Sequence, residues 1–142
     1  MKAKLFVDTW GWLTLHDKRE AQHQEIVKFY RSFRSQAGAI YTTDYVLDET
    51  FTLFFKRLTP ARAKRSMEML INAFREEDFN LVWITAERFV QTQALRIKYL
   101  DKPQISFTDL TSMAVMKELG IEAVLTGDAH FTQVGMGFQK IP

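Results

Sequence analysis

Five short runs rich in apolar and β-branched residues, set apart by helix-length stretches, constrain the fold of this chain more than any other feature. They are Lys4 to Val7, Ala39 to Thr42, Asn80 to Ile84, Ile121 to Leu125 and Phe138 to Ile141. Between them, apolar residues recur at the three- and four-residue spacing of a buried helical stripe. A turn or short helix is expected through Trp12, Leu13 and Leu15. A helix from Glu20 to Arg34 presents Ile26, Val27, Tyr30 and Phe33, with Gly38 at its exit. Asp44 is placed as the cap of a helix that carries Asp48 and Glu49 towards Phe54 and Phe55. Thr59-Pro60 opens the next, since proline is tolerated in a first helical turn, and that helix shows Ala63, Met67, Leu70, Ile71 and Phe74. Thr85 caps a helix whose face holds Phe89, Val90, Leu95, Ile97 and Tyr99. Ser106 caps the last long helix, and Asp109, three residues on, can bond back to the cap and meet the positive end of the helix dipole. Gly120 is a fitting stop for it.

Short strands alternating with helices indicate an α/β domain with a mostly parallel sheet covered on both faces. In open sheets of this kind, sites form beyond the carboxyl ends of the strands. Asp8 and Asp128 each follow an expected strand, and Glu49 and Asp109 lie near helix starts that return from the same edge. Four acids from four places in the sequence can therefore converge.

The chain of 142 residues suits one domain spanning 1–142, long enough to bury roughly 70% of the surface its unfolded form exposes. No linker, repeat or low-complexity run divides it. Twelve Phe argue for a thick core or an apolar partner surface. A net charge of +2 does not by itself demand a nucleic-acid partner. The absence of cysteine excludes disulfides, thiolate zinc sites and cysteine nucleophiles. The apolar start Leu5-Phe6-Val7 is cut short by Asp8, too early for a signal peptide or a membrane span. A cytoplasmic protein without membrane contact is expected.

Four carboxylates gathered within a few ångströms repel one another, and a hard divalent cation resolves that repulsion. Carboxylate and water oxygens suit Mg²⁺ or Mn²⁺, and no cysteine or paired-histidine pattern competes for a softer metal. A cation so held can activate water, orient a phosphate and steady charge on a leaving oxygen, which leads most directly to phosphodiester hydrolysis. Each acid also has a plainer reading. Asp8 can cap the following helix, Asp109 can complete a capping box, Asp128 can be a turn residue and Glu49 a solvated helix residue.

The residues around these acids form a recognisable set. Val7-Asp8-Thr9 after the first strand, Leu47-Asp48-Glu49-Thr50 on a helix, Ser106-Phe107-Thr108-Asp109 opening another, and Leu125-Thr126-Gly127-Asp128-Ala129-His130-Phe131 together resemble the PIN-domain family. Within it they are most similar to the VapC-type toxins of bacterial and archaeal toxin–antitoxin pairs. The ending from Val134-Gly135 through Phe138 to Pro142 fits the same pattern, so the resemblance covers essentially the whole chain. It implies a three-layer α/β/α domain with a central, mostly parallel five-stranded sheet. It also implies an Mg²⁺- or Mn²⁺-dependent endoribonuclease that hydrolyses RNA by metal-activated water, leaving a 5′-phosphate and a 3′-hydroxyl. By that resemblance Asp8, Glu49, Asp109 and Asp128 are the acidic metal-site residues. Asp8 and Asp109 would be direct ligands, and Glu49 and Asp128 would act through metal-bound water or a second ion. Thr9 and Ser106 fall beside these acids, and the Thr126 hydroxyl would orient one of them. A homodimer silenced by a cognate antitoxin is implied as well. The chain departs from the family in Trp10 and Trp12, which would narrow the mouth of the site or adapt it for base stacking. Gly135-Met136-Gly137 is slightly longer than the usual ending.

The segment from Lys56 to Arg65 concentrates five basic residues in ten. It is open to RNA phosphates, to solvent, or to an acidic antitoxin segment. Arg57 and Arg62 within it, and Lys102 near the expected site, are the candidate RNA contacts. His130 reads as a partly exposed turn histidine, and His16 and His23 as surface residues. Phe51, Phe54 and Phe55 read as core or dimer interface. A dinucleotide-binding fold lacks its glycine-rich turn after Asp8, and a dehalogenase-type phosphatase lacks a second aspartate where Trp10 stands. A response-regulator receiver lacks its aspartate at Trp83-Ile84-Thr85. The remaining rivals are a PIN nuclease of RNA maturation and a non-catalytic PIN-like scaffold that binds RNA or protein.

Overall fold

A computed structural model describes residues 2–142. Its sheet contains β1 (Lys4–Val7), β2 (Ala39–Thr43), β3 (Asn80–Val82), β4 (Ala123–Leu125) and β5 (Gln139–Ile141), in the order β3-β2-β1-β4-β5. All four pairings are parallel, with Leu5 between Ile40 and Ala123, and Phe6 between Tyr41 and Val124. Leu5, Phe6 and Val7 show no alternation of burial because both faces of this central strand are covered.

Seven helices among the described residues cover it: α1 (Thr9–His16), α2 (His23–Ser35), α3 (Asp44–Arg57), α4 (Pro60–Arg75), α5 (Ala86–Lys98), α6 (Phe107–Leu119) and α7 (His130–Gln133). The chain steps from β1 to β2 to β3 in one direction, then returns past β1 to β4 and β5. Right-handed crossovers therefore put α1 to α4 on one face and α5 to α7 on the other. The packing agrees, with α1 against α2 and α3, α3 against α4, α5 against α6, and α6 against α7. The architecture is the expected three-layer α/β/α arrangement, with a sheet that is wholly parallel.

Several local expectations are corrected. Helix α2 begins at His23, and residues 17–22 form a turn in which Asp17 accepts from the Arg19 guanidinium. Gly38 lies at the exit of α2, as expected, its N–H donating to the Phe33 carbonyl at 3.1 Å. Ala37 holds the left-handed conformation (φ 60°), and Gly38 is needed for room because a Cβ there would strike the Phe33 ring. Thr43, not Asp44, caps α3 by accepting from the Val46 N–H. Asp44 instead accepts from the Ile84 N–H at 2.7 Å, tying α3 to the chain beyond β3. The third strand stops at Val82, leaving Trp83 exposed.

The face expected of α5 is also different. Tyr99 is buried and Leu95 packs against the core as expected, but Phe89, Val90 and Ile97 are exposed, and buried Thr92 with the pinned Arg88 and Arg96 takes their place facing the protein. Arg88 pairs with Glu118 of α6 at 2.6 Å, and Arg96 donates to the carbonyls of Tyr99, Lys102 and Ile105. Trp12 belongs to the core and does not border the site. It is 1% exposed, packs on Tyr30 and Phe79, and donates to the Thr42 hydroxyl at 3.1 Å. Neither His16 nor His23 is a plain surface residue. The His16 ring lies against Phe54, where burial and nearby His23 hold it down to about 4, and His23 Nδ1 is 2.7 Å from the Thr14 carbonyl.

Candidate active site

The topology reverses between β1 and β4, and at such a switch point the two connections diverge and leave a crevice. Asp8 leaves the end of β1 and Thr126-Gly127-Asp128 leaves the end of β4, so both emerge at that crevice. Helix α6 starts there with Ser106 capping it, its hydroxyl accepting from the Asp109 N–H at 3.0 Å. The return bond expected from the Asp109 carboxylate is not made; that side chain turns into the crevice. Helix α3 adds Glu49 from its second turn. The result is an open cleft of about 640 Å³ lined by Asp8, Glu49, Asp109 and Asp128, with Thr9, Trp10 and Ser106 beside them.

Hydrogen bonds hold two of the acids in register. Buried Thr126 donates its hydroxyl to Asp8 Oδ2 at 2.8 Å and accepts from the Asp128 N–H at 3.0 Å. One hydroxyl thus spans the ends of β1 and β4. Asp128 Oδ1 in turn accepts from the His130 N–H at 2.8 Å, a local turn that folds the imidazole back. His130 Nδ1 then lies 3.1 Å from Asp128 Oδ1 and 3.4 Å from Asp109 Oδ2. The histidine is therefore part of the acidic cluster, a position the sequence reading missed. The signal was its place two residues after a turn aspartate.

The electrostatics are those of a crowded acidic centre. Asp8 is 4% exposed. Its carboxyl is pushed up from 3.8 to about 6, by burial first, with Glu49 and Asp128 adding repulsion against the hydrogen bonds from Thr126 and the Thr9 backbone. Asp109 is pushed up to about 7, again by burial first and then by Asp8 and Asp128. Asp8 thus feels Glu49, Asp109 feels Asp8, and both feel Asp128.

Other expected residues are distributed differently. Arg57 reaches the cleft, held 3.3 Å from Glu20. Lys102 does not line it, because Arg96 pins its loop and its ammonium pairs with Asp101 at 3.1 Å. Arg62 lines a separate cleft between α2 and α4. Trp10 lines the acidic cleft and packs over Gly127, where a Cβ would lie 2.6 Å from the indole nitrogen.

A family model for the PIN domain matches residues 5–136. The chain belongs to the PIN-domain family. Among curated proteins, this PIN domain is 27% identical over 131 residues to the 23S rRNA-specific endonuclease VapC20 of Mycobacterium tuberculosis, covering 92% of this chain and 94% of that protein. The crystal structure of that VapC20, a Sarcin-Ricin loop cleaving toxin, matches with a TM-score of 0.78 over 92% of this chain and 95% of its own. Two more distant structures share the PIN fold. VapBC2 from Rickettsia felis, bound to a promoter DNA fragment, gives a TM-score of 0.69 at 11% identity over 97% of each chain. DNA-bound VapBC from Salmonella typhimurium gives 0.68 at 15% identity, over 98% of this chain and 97% of that one.

A hard divalent cation suits the residues of this PIN domain. Asp8 Oδ1 is buried without a hydrogen-bond partner, so one carboxylate oxygen at the heart of the cleft is unsatisfied. Ligand atoms of Asp109, Asp128 and His130 lie within 4.8 Å of one another. Carboxylate oxygens predominate, as Mg²⁺ and Mn²⁺ prefer.

Proposed function

We propose that this protein is an Mg²⁺- or Mn²⁺-dependent endoribonuclease that hydrolyses RNA phosphodiester bonds, and that it is the toxin of a toxin–antitoxin pair. The observation that carries the nuclease reading is the convergence of four carboxylates at the β1/β4 switch point, with one buried oxygen of Asp8 left unpartnered. A binding scaffold gains nothing from such repulsion, whereas a hydrolytic centre that holds a divalent cation there offsets it. The toxin role is supported by the likeness to VapC20 over nearly the full length of both chains. In this reading residues 1–142 act as one domain in the cytoplasm, where the RNA is.

Asp8 and Asp109 would hold the cation directly, and Glu49 and Asp128 would act through its water shell or a second ion. When bound, the cation supplies an activated water and neutralises charge at the scissile phosphate. The protein's own part is positioning. Thr126 aims the Asp8 carboxylate, and the capped start of α6 aims Asp109. His130, 3.1 Å from Asp128 and 3.4 Å from Asp109, is placed to steady their charge. Arg57 and Trp10 border the same cleft, one suited to a flanking phosphate and the other to a flanking base. A homodimer is favoured by the exposed apolar residues Trp83, Val90, Ile97 and Leu100, and a cognate antitoxin would close the cleft.

The test is cleavage of a structured RNA by purified, antitoxin-free protein with Mg²⁺, Mn²⁺ or chelator, beside Asp8→Asn prepared in parallel. Metal-dependent cleavage leaving 5′-phosphate ends, abolished in the variant, is the expected result. RNA binding without cleavage, unchanged by the variant, would replace the nuclease with a scaffold.

A further inference from the structure

One donor at the acidic centre is not a carboxylate. His130 stands two residues after Asp128, and the Asp128 carboxylate, accepting from the His130 N–H at 2.8 Å, turns the ring back over the cluster. Nδ1 is then 3.1 Å from Asp128 Oδ1 and 3.4 Å from Asp109 Oδ2, on carboxylates brought there by the turn after β4 and by α6. An octahedral ion holding its donors about 2.1 Å away sets neighbouring donors about 3 Å apart. The nitrogen is therefore spaced from each oxygen much as adjacent corners of such a shell are.

A hydrogen bond alone accounts for less of this arrangement. An imidazole presents at most one proton at Nδ1, and two carboxylates face it. Asp8 Oδ1, buried and without a partner, is answered by neither. That carboxylate belongs to the same centre, because the Thr126 hydroxyl joins Asp8 Oδ2 to the Asp128 N–H. One cation among these groups draws on the orphaned oxygen, the facing carboxylates and the Nδ1 lone pair together. We propose that His130 ligates the cation through Nδ1, and that this nitrogen makes the centre favour Mn²⁺ over Mg²⁺. Imidazole suits first-row transition ions, whereas Mg²⁺ holds to oxygen. The inference rests on the metal-dependent reading of this site and adds to it a nitrogen donor and a choice of ion.

The test uses full-length protein stripped of metal by chelator. Mn²⁺ and Mg²⁺ are titrated into it separately by calorimetry, and the Mn²⁺-loaded protein is read by electron spin-echo spectroscopy for coupling to an imidazole nitrogen. His16 and His23, the other histidines of the chain, line the separate cleft between α2 and α4, so a coupling lost with His130 belongs to this centre. The unaltered protein should show that coupling, and His130→Phe and His130→Asn should not. His130→Phe should weaken Mn²⁺ binding by at least about tenfold, the loss that follows removal even of a ligand's supporting partner, and Mg²⁺ binding by much less. His130→Asn, which sets an oxygen where Nδ1 stands, should regain Mg²⁺ binding without the preference for Mn²⁺. Mn²⁺ bound by the unaltered protein without nitrogen coupling would overturn the ligand, and that readout needs no variant. Equal losses for the two ions in His130→Phe, or no Mn²⁺ binding at all, would overturn it too. Nitrogen coupling in a protein that never cleaves RNA would remove the nuclease and leave the ligand standing. Metal-dependent cleavage without nitrogen coupling would do the reverse.

Discussion

At the scale of single residues, the molecule holds two carboxyls in their protonated forms at pH values where both would ordinarily be charged. A group whose folded value is raised weakens the fold wherever the unfolded chain has released a proton that the folded one retains. For Asp8 that window runs from about pH 4 to about 6, and for Asp109 to about 7. Metal-free protein should therefore lose stability as pH rises from 4 to 7, by up to about 3 kcal/mol from Asp8 alone at 1.36 kcal/mol per unit. Thermal melts in chelator at stepped pH would measure this, and added Mn²⁺ should flatten the slope. Asp8→Asn should melt higher than the unaltered protein at pH 7 while losing cleavage. Loss of stability with cleavage retained would remove Asp8 from the site. Thr126→Val should cost about 1–3 kcal/mol, since it strands the buried Asp8 oxygen and the Asp128 N–H together. These residues were partly legible. The four acids stood out by position after strands and near helix starts, and Thr126 through the family resemblance alone. His130 did not, because its nearness to Asp109 arises from a turn closed by Asp128 and not from any periodicity.

At the scale of elements, caps were easier to read than faces. Ser106, Thr59 and Thr85 all accept the N–H three residues on, as a short hydroxyl before an apolar run suggests. Ser106→Ala should cost about 1 kcal/mol in denaturant unfolding. It should also reduce cleavage, because Asp109 is carried on that first turn. Gly120, at φ 66°, ends the same helix, and Gly120→Ala should cost about 1 kcal/mol without touching activity. The α5 face was misread for a definite reason. Its inward side is held by polar groups with specific partners, Arg88 on Glu118, Thr92 on the Arg88 carbonyl, and Arg96 on three loop carbonyls. Leu95 and Tyr99 still pack inward, but Phe89, Val90 and Ile97 were left for the outside, so a pattern that counts only hydrophobicity is half right. The displaced cap at Asp44 has the same origin, a long-range bond to Ile84 that no local window contains.

At the scale of the whole molecule, that outward stripe is the surface on which a second copy is expected. Val90→Asp/Ile97→Asp should yield a folded monomer by light scattering if Trp83, Val90, Ile97 and Leu100 form the dimer contact. A dimer unchanged by both charges would move the contact elsewhere. The alternation of strands and helices specified the layers, but the order β3-β2-β1-β4-β5 was not readable, because pairing between β1 and β4 joins residues more than a hundred positions apart. That pairing has a consequence in time. A nascent chain leaving the ribosome can build β1, β2 and β3 early, yet the strand that delivers Asp128 begins at Ala123, more than a hundred residues after β1. The acidic centre is incomplete until β4 and the turn after it have been made. A centre built this way stays unassembled throughout the synthesis of the hundred-odd residues that separate Asp8 from β4.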